Sequence, residues 1–174
     1  MTKKKRALLQ GLPPAVAADC RVLVLGSMPG AASLDAARYY AHPRNRFWPL
    51  MGALCGFDAG MPYDARIAAL QRAGVGLWDV IGRCERRGSL DAAIVPGSEA
   101  ANAILPLIES LSSLRAVAFN GGKAAQAFRR HLQPALPDAI AARIVCHALP
   151  STSPANAGFG FERLREAWGV LDLG

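Results

Sequence analysis

Arg115-Ala116-Val117-Ala118-Phe119-Asn120, with Gly121 and Gly122 behind it, is an apolar run that stops abruptly at an amide. A short, uninterrupted apolar run of this kind reads as a strand covered on both faces, as in a parallel sheet. The same pattern recurs at 21–26, 75–81 and 143–148. Between these runs, apolar residues return at helical spacing. A short helix is predicted over 33–38 with Ser33 as its cap, and another over 46–55 with Asn45 at or near its N-cap. Further helices are predicted over 63–73, stopped by Gly74, and over 105–111, with Pro106 in the first turn. The last two cover 123–132 and 159–171, the latter carrying a core stripe of Phe161, Leu164, Trp168 and Leu171. Strands alternating with helices predict an α/β fold: a three-layer α/β/α sandwich around a mainly parallel, four-stranded central sheet.

With 174 residues and no linker or repeat, the chain reads as one domain over 1–174. A hydrophobic content of 52% argues against disorder. Its apolar stretches are too short and too interrupted to span a membrane. No apolar signal core follows Lys3-Lys4-Lys5-Arg6, so the reading is a cytoplasmic protein. Formal net charge is +7, and removing the four charges of residues 3–6 leaves +3 for the rest. That tail has two readings, a phosphate-seeking arm or a solvated terminus. The remaining charge is compatible with nucleic acid without demanding it.

Cys20, Cys55, Cys84 and Cys146 match no CxxC spacing, which argues against a zinc or iron–sulfur site. Cys20 and Cys146 flank apolar runs and are expected to be buried. No metal and no cofactor is expected.

In an open α/β sheet, strand ends share one edge and ligands bind in the crevice there. Three polar loops should therefore converge. Gly26-Ser27-Met28-Pro29-Gly30 is a tight strand exit that lets a ligand approach the backbone, without the lysine of a P-loop. Asn120 offers a donor and an acceptor that suit the N–H and C=O edge of uracil or hypoxanthine; the plainer reading is an asparagine closing a left-handed turn. Pro150-Ser151-Thr152-Ser153-Pro154 offers hydroxyls and N–H groups to phosphate, or is a loop without a partner. Between the first two lies Tyr39-Tyr40-Ala41-His42-Pro43-Arg44-Asn45-Arg46-Phe47-Trp48. Phe47 and Trp48 read as core, and Tyr40 as the ring that stacks on a base. His42 and His147 lie near the same edge, and Asp79 lies within the 75–81 run.

These segments, with Gly76-Leu77-Trp78-Asp79-Val80 and Gly88-Ser89-Leu90-Asp91, occur in an order and spacing that resemble the uracil-DNA glycosylase superfamily. The likeness runs from Val22 to Trp168 and is greatest to its hypoxanthine-DNA (deoxyinosine) glycosylase branch. The resemblance implies a monomeric, metal-free, monofunctional DNA repair enzyme that flips a deaminated base out of DNA and hydrolyses its N-glycosidic bond. It implies substrate contacts from Tyr40, Asn120, Gly26 and Pro29. It implies catalysis by Asn45 with Ser27 and the Met28 backbone, and DNA contacts from Ser151, Thr152, Ser153, Arg44 and Lys123. Two departures matter. Met28 occupies the position where the superfamily often has Asp or Asn, and Leu149 the position of a histidine in uracil-specific enzymes. Both argue against efficient uracil excision. The alternatives are a uracil or thymine-mismatch glycosylase and a non-catalytic nucleic-acid-binding module.

Overall fold

The computed structural model describes residues 7–174; the basic stretch 1–6, and with it the expected arm or tail, lies outside the described residues. Strand β2 (Val22–Gly26) is central. It pairs in parallel with β3 (Val75–Asp79) on one side and β6 (Ala116–Asn120) on the other, and β7 (Val145–Leu149) pairs in parallel with β6. The order is β3-β2-β6-β7. The register sets Gly26 opposite Asp79 and Asn120 opposite Leu149. Those four residues therefore end their strands at one edge, and the loops that follow emerge together.

Alternating side chains of β2 and β6 feed two cores. Leu23, Leu25, Val117 and Phe119 face α4 (Ile104–Ser110) and α5 (Gly122–His131), where Ile108 and Phe128 are buried. Val22, Val24, Ala116 and Ala118 face α2 (Phe47–Cys55), α3 (Tyr63–Arg72) and α7 (Phe161–Trp168). The anticipated stripe holds: Leu164, Trp168 and Leu171 are fully buried, with Phe161 packed beside them. Burying a large apolar side chain stabilises by about 1.5–3 kcal/mol, so both layers are strongly driven.

Several expectations need correction. The predicted 75–81 strand divides at Val80, and a second strand, β4 (Ile81–Glu85), follows it. With β1 (Leu8–Gln10) and β5 (Ala100–Ala101) it forms a small antiparallel sheet, order β1-β4-β5. A register shift between Ile81 and Arg83 breaks the alternation that would reveal it. Helix α1 (Ala31–Ala36) starts earlier than expected and has Gly30, not Ser33, at its N-cap. Ser33 is buried instead, and its hydroxyl accepts from the Ala41 N–H at 3.1 Å. Cys20 is buried as expected, but Cys146 is exposed because β7 is an edge strand with an open face. Among the described residues, no helix is long and apolar enough to cross a membrane.

Candidate active site

A cavity of about 150 Å³ opens at the common strand edge. Tyr40, Asn45, Asp79 and Asn120 border it, together with the loops after β2 and β7. The three loops singled out in the sequence thus meet around one space.

The loop after β2 is held from outside. The Ser27 hydroxyl donates to the Asp91 carboxylate, 2.8 Å from both oxygens. The Arg86 guanidinium donates to the carbonyls of Pro29 at 2.5 Å and Gly88 at 2.9 Å. The Ala31 N–H donates to Ser89 Oγ at 2.9 Å. Segment 86–91 therefore buckles onto the motif loop. Ser27, expected to be catalytic, has its proton committed to Asp91. The Met28 side chain is buried in the core, so only its backbone is polar at this point. Pro29 borders the cavity, whereas Gly26 serves as a spacer. A Cβ at Gly26 would sit 2.4 Å from Asp79 Oδ1 and 3.6 Å from the Tyr40 hydroxyl.

Tyr40 occupies a left-handed backbone conformation, φ +54°. For a bulky residue this costs on the order of 1 kcal/mol and persists only where neighbours enforce it. They do so on both sides. Tyr39 N–H donates to the Tyr63 hydroxyl at 3.0 Å, Trp48 Nε1 donates to the Tyr39 carbonyl at 3.0 Å, and Ala41 is tied to Ser33. The Tyr40 ring stacks on Phe47, centroids 3.9 Å apart and planes at 23°. Phe47 and Trp48 are buried, as expected of core, and Tyr40 is the ring that borders the cavity. Burial, and then the Asp79 charge, push its phenol pKa up, so its hydroxyl stays neutral.

Two amides are locked through one hydroxyl. The Thr152 N–H donates to Asn120 Oδ1 at 3.0 Å, and Asn120 Nδ2 donates to Thr152 Oγ1 at 3.0 Å. Thr152 Oγ1 then donates to Asn45 Oδ1 at 2.9 Å, and the Phe47 N–H donates to that same oxygen at 3.0 Å. A backbone N–H can only donate, so each amide's orientation follows from its partner. Asn120 is not among the residues with positive φ, which removes the turn-closing reading. Thr152 was expected to touch DNA; it is 0% exposed, with both polar groups used inside the network, and faces no solvent.

Ser151 and Ser153 border the cavity and an adjoining groove. Their hydroxyls accept from the N–H groups of Ser153 (3.1 Å) and Ala155 (3.2 Å), leaving each O–H free to donate. Gly121, φ +96°, makes room here, since a Cβ would lie 3.1 Å from Ser151 Cβ. Arg46 braces the loop from below, donating to Asn156 O at 2.9 Å and to Phe159 O. Arg44 is exposed, and neither it nor Lys123 borders the cavity. The Lys123 ammonium lies 3.1 Å from Glu99, which also meets His131 at 3.0 Å, so its charge is already paired. His42 borders the cavity, and its Nδ1 accepts from the Arg44 N–H.

Asp79 ends β3 against the cavity at 4% exposure. Its Oδ2 is buried without a hydrogen-bond partner. Burial above all, then the nearby Asp91 charge, push its pKa up to about 7, against the opposing pull of Arg86. Asp91 is also raised, mainly by burial. The sequence singles out Asp79 and the 88–91 segment without assigning them roles; Arg86, which holds the Pro29 and Gly88 carbonyls, is found only in the fold. Among the described residues, no three His, Cys, Asp or Glu side chains gather in a set that could hold a metal ion.

Fold and site together define a three-layer α/β/α domain with a ligand cavity at the carboxyl edge of a parallel sheet. A profile of the uracil DNA glycosylase superfamily matches residues 13–172, and the chain belongs to that superfamily. A protein of Methanosarcina acetivorans named hypoxanthine DNA glycosylase is 34% identical over 158 residues, 90% of this chain and 94% of that one. One of the same name from Methanosarcina barkeri is 38% identical over 118 residues, 67% of this chain and 73% of that one. The solution NMR structure of a proposed uracil DNA glycosylase from M. acetivorans superposes with a TM-score of 0.78 at 30% identity, over 95% of this chain and 98% of that one.

Proposed function

We propose that this protein is a monofunctional DNA glycosylase that hydrolyses the N-glycosidic bond of deoxyinosine, releasing hypoxanthine and leaving an abasic site. The observation that carries the reading is the single cavity walled by the Tyr40 ring and the two locked amides of Asn45 and Asn120. The relatives named for hypoxanthine support the choice of base. A flipped purine would stack on Tyr40, whose other neighbour is Phe47. Ser151 and Ser153 would donate to phosphates along the adjoining groove.

The network also divides the work of the amides. Asn45 Oδ1 already accepts two hydrogen bonds, so Asn45 offers its Nδ2 donor. That suits stabilising negative charge on a departing base better than drawing a proton from water. Asn120 spends one N–H and one lone pair on Thr152, so it meets a base with what remains. The C1′–N9 bond would break toward an oxocarbenium-like sugar, the electron pair going to the base, and water would then add to C1′. The same reading carries a monomer acting in the cytoplasm on DNA, without a metal.

The test is excision by the purified protein from duplexes bearing hypoxanthine, uracil or xanthine. Formation of an abasic site at the hypoxanthine position supports the reading. Uracil as the faster substrate would reassign the base, and binding without any abasic product would make the chain a non-catalytic DNA-binding module.

A further inference from the structure

We infer that Asp79 is the general acid of this site, donating a proton from its carboxyl group to an acceptor nitrogen of the departing purine. The inference rests on the glycosylase reading above and adds a catalytic group to it.

The geometry distinguishes Asp79 from a structural carboxylate. Buried carboxyl oxygens in folded proteins are normally hydrogen-bonded. Asp91, whose charge acts on Asp79, follows the rule: both its oxygens meet Ser27 Oγ. Asp79 does not, because Oδ2 has no partner. No ion pair within 4.0 Å joins it to Arg86, whose own Nη1 is also unpartnered. Yet the fold makes room for this carboxyl specifically. Oδ1 occupies the place where any side chain at residue 26 would begin. The side chain sits on the cavity wall with the Tyr40 hydroxyl nearby. A buried acid with an unpartnered oxygen beside a substrate space is poised to bond what enters it.

The surroundings favour its protonated form. Tyr39 and Tyr40 face it from the 37–46 segment as neutral phenols, and Asp91 faces it with a like charge. Arg86 alone opposes, and the balance leaves the carboxyl pKa at about 7. An acid with a pKa near the working pH is the efficient one. As the C1′–N9 bond breaks, its electron pair goes to the purine. The Asp79 proton moves to a ring nitrogen, so the base leaves as neutral hypoxanthine and Asp79 is left as carboxylate. Water adds to C1′ and gives up one proton, which returns Asp79 to its starting form.

The experiment is the single-turnover excision rate on a deoxyinosine duplex from about pH 6 to about pH 9, for wild type and Asp79→Asn. Wild type should lose rate as pH rises through about 7. Asp79→Asn should fall about 100-fold or more at neutral pH and lose that limb. It should also regain most of its rate on 7-methyl-deoxyinosine, whose cationic base departs without an acid. A wild-type profile flat across this range overturns the inference by itself, whether or not the variant folds. So does an Asp79→Asn variant with wild-type rate and profile, or one equally impaired on the methylated substrate. If wild type excises hypoxanthine in any of these cases, the glycosylase reading stands while the acid falls. If wild type excises nothing, both fall.

Discussion

The hydroxyl of Thr152 donates to Asn45 Oδ1 across 107 residues of sequence. It can do so because Asn120 Nδ2 has already filled one of its acceptor positions. One small, fully buried side chain thereby sets which atoms two amides turn toward the cavity. Leaving a buried donor or acceptor unmatched costs about 1–3 kcal/mol, so the network resists amide rotation.

Thr152→Val keeps the shape and deletes the hydroxyl. Asn45 then keeps only the Phe47 N–H, and Asn120 Nδ2 loses its partner. We expect about 1–3 kcal/mol of destabilisation in denaturant melts. A loss of hypoxanthine excision of about 10-fold or more should accompany it, since each 1.36 kcal/mol of lost transition-state stabilisation is tenfold in rate. Thr152→Ser, which retains the hydroxyl, should stay close to wild type in both. Wild-type excision by the valine variant would show that the amides hold their orientation without it.

Much of this architecture is legible in local sequence, for a physical reason. A continuous run such as Val22 to Leu25 needs cover on both faces, and only a central strand between two helical layers supplies it. Tyr40 and Asn45 were legible because polar and aromatic residues packed around a proline have few structural excuses. What was hidden depends on distance or on disguise. β4 alternates imperfectly and carries Arg83 and Glu85, so its charges hide the strand. Cys146 looked buried because its neighbours are apolar, but the sheet ends at its strand. Thr152 resembles its neighbours Ser151 and Ser153 in sequence; only the fold shows that its hydroxyl is buried in the amide network. The bond from Ser27 to Asp91 spans 64 residues and has no local signature.

Gly26→Ala should collapse the wall of the cavity. The new Cβ would meet Asp79 Oδ1 at 2.4 Å, and that carboxyl is buried and short, with little room to swing. Overpacking of this kind costs about 1–3 kcal/mol. Adding Asp79→Ala removes the clashing atoms, so the double variant should be less destabilised than the two single losses summed. A double-mutant cycle by chemical denaturation checks it; strict additivity would mean that Gly26 is required for backbone reasons instead.

Tyr40 should separate ring from hydroxyl. Tyr40→Phe keeps the face that stacks on Phe47 and borders the cavity, so binding of abasic-product or inosine DNA should change little. Tyr40→Ala removes the stacking platform, worth about 1–3 kcal/mol per base. Affinity for inosine-containing DNA should then fall about 5- to 150-fold, while unmodified duplex binds as before. Fluorescence anisotropy with matched duplexes reads both. Equal losses on the two duplexes would place Tyr40 in general DNA contact rather than base recognition.

Asp79 should make the wild-type protein less stable at neutral pH than a neutral isostere would be. Burial first, and the Asp91 charge second, raise its folded pKa from 3.8 to about 7. Between those values the native state holds a proton that the unfolded chain has released. Stability from this group is therefore greatest at low pH, declines as pH rises from about 4 to about 7, and is level above that. Asp79→Asn cannot titrate, so its stability relative to wild type should rise through the same window by a few kcal/mol and then stop rising. Asp91 is also raised and remains in the variant, so some slope persists in both proteins. Thermal melts of the pair at about pH 4 and about pH 8 measure the difference directly. Parallel stabilities at the two values would mean that Asp79 is ionised in the folded protein at low pH, which its unpartnered Oδ2 and its 4% exposure argue against.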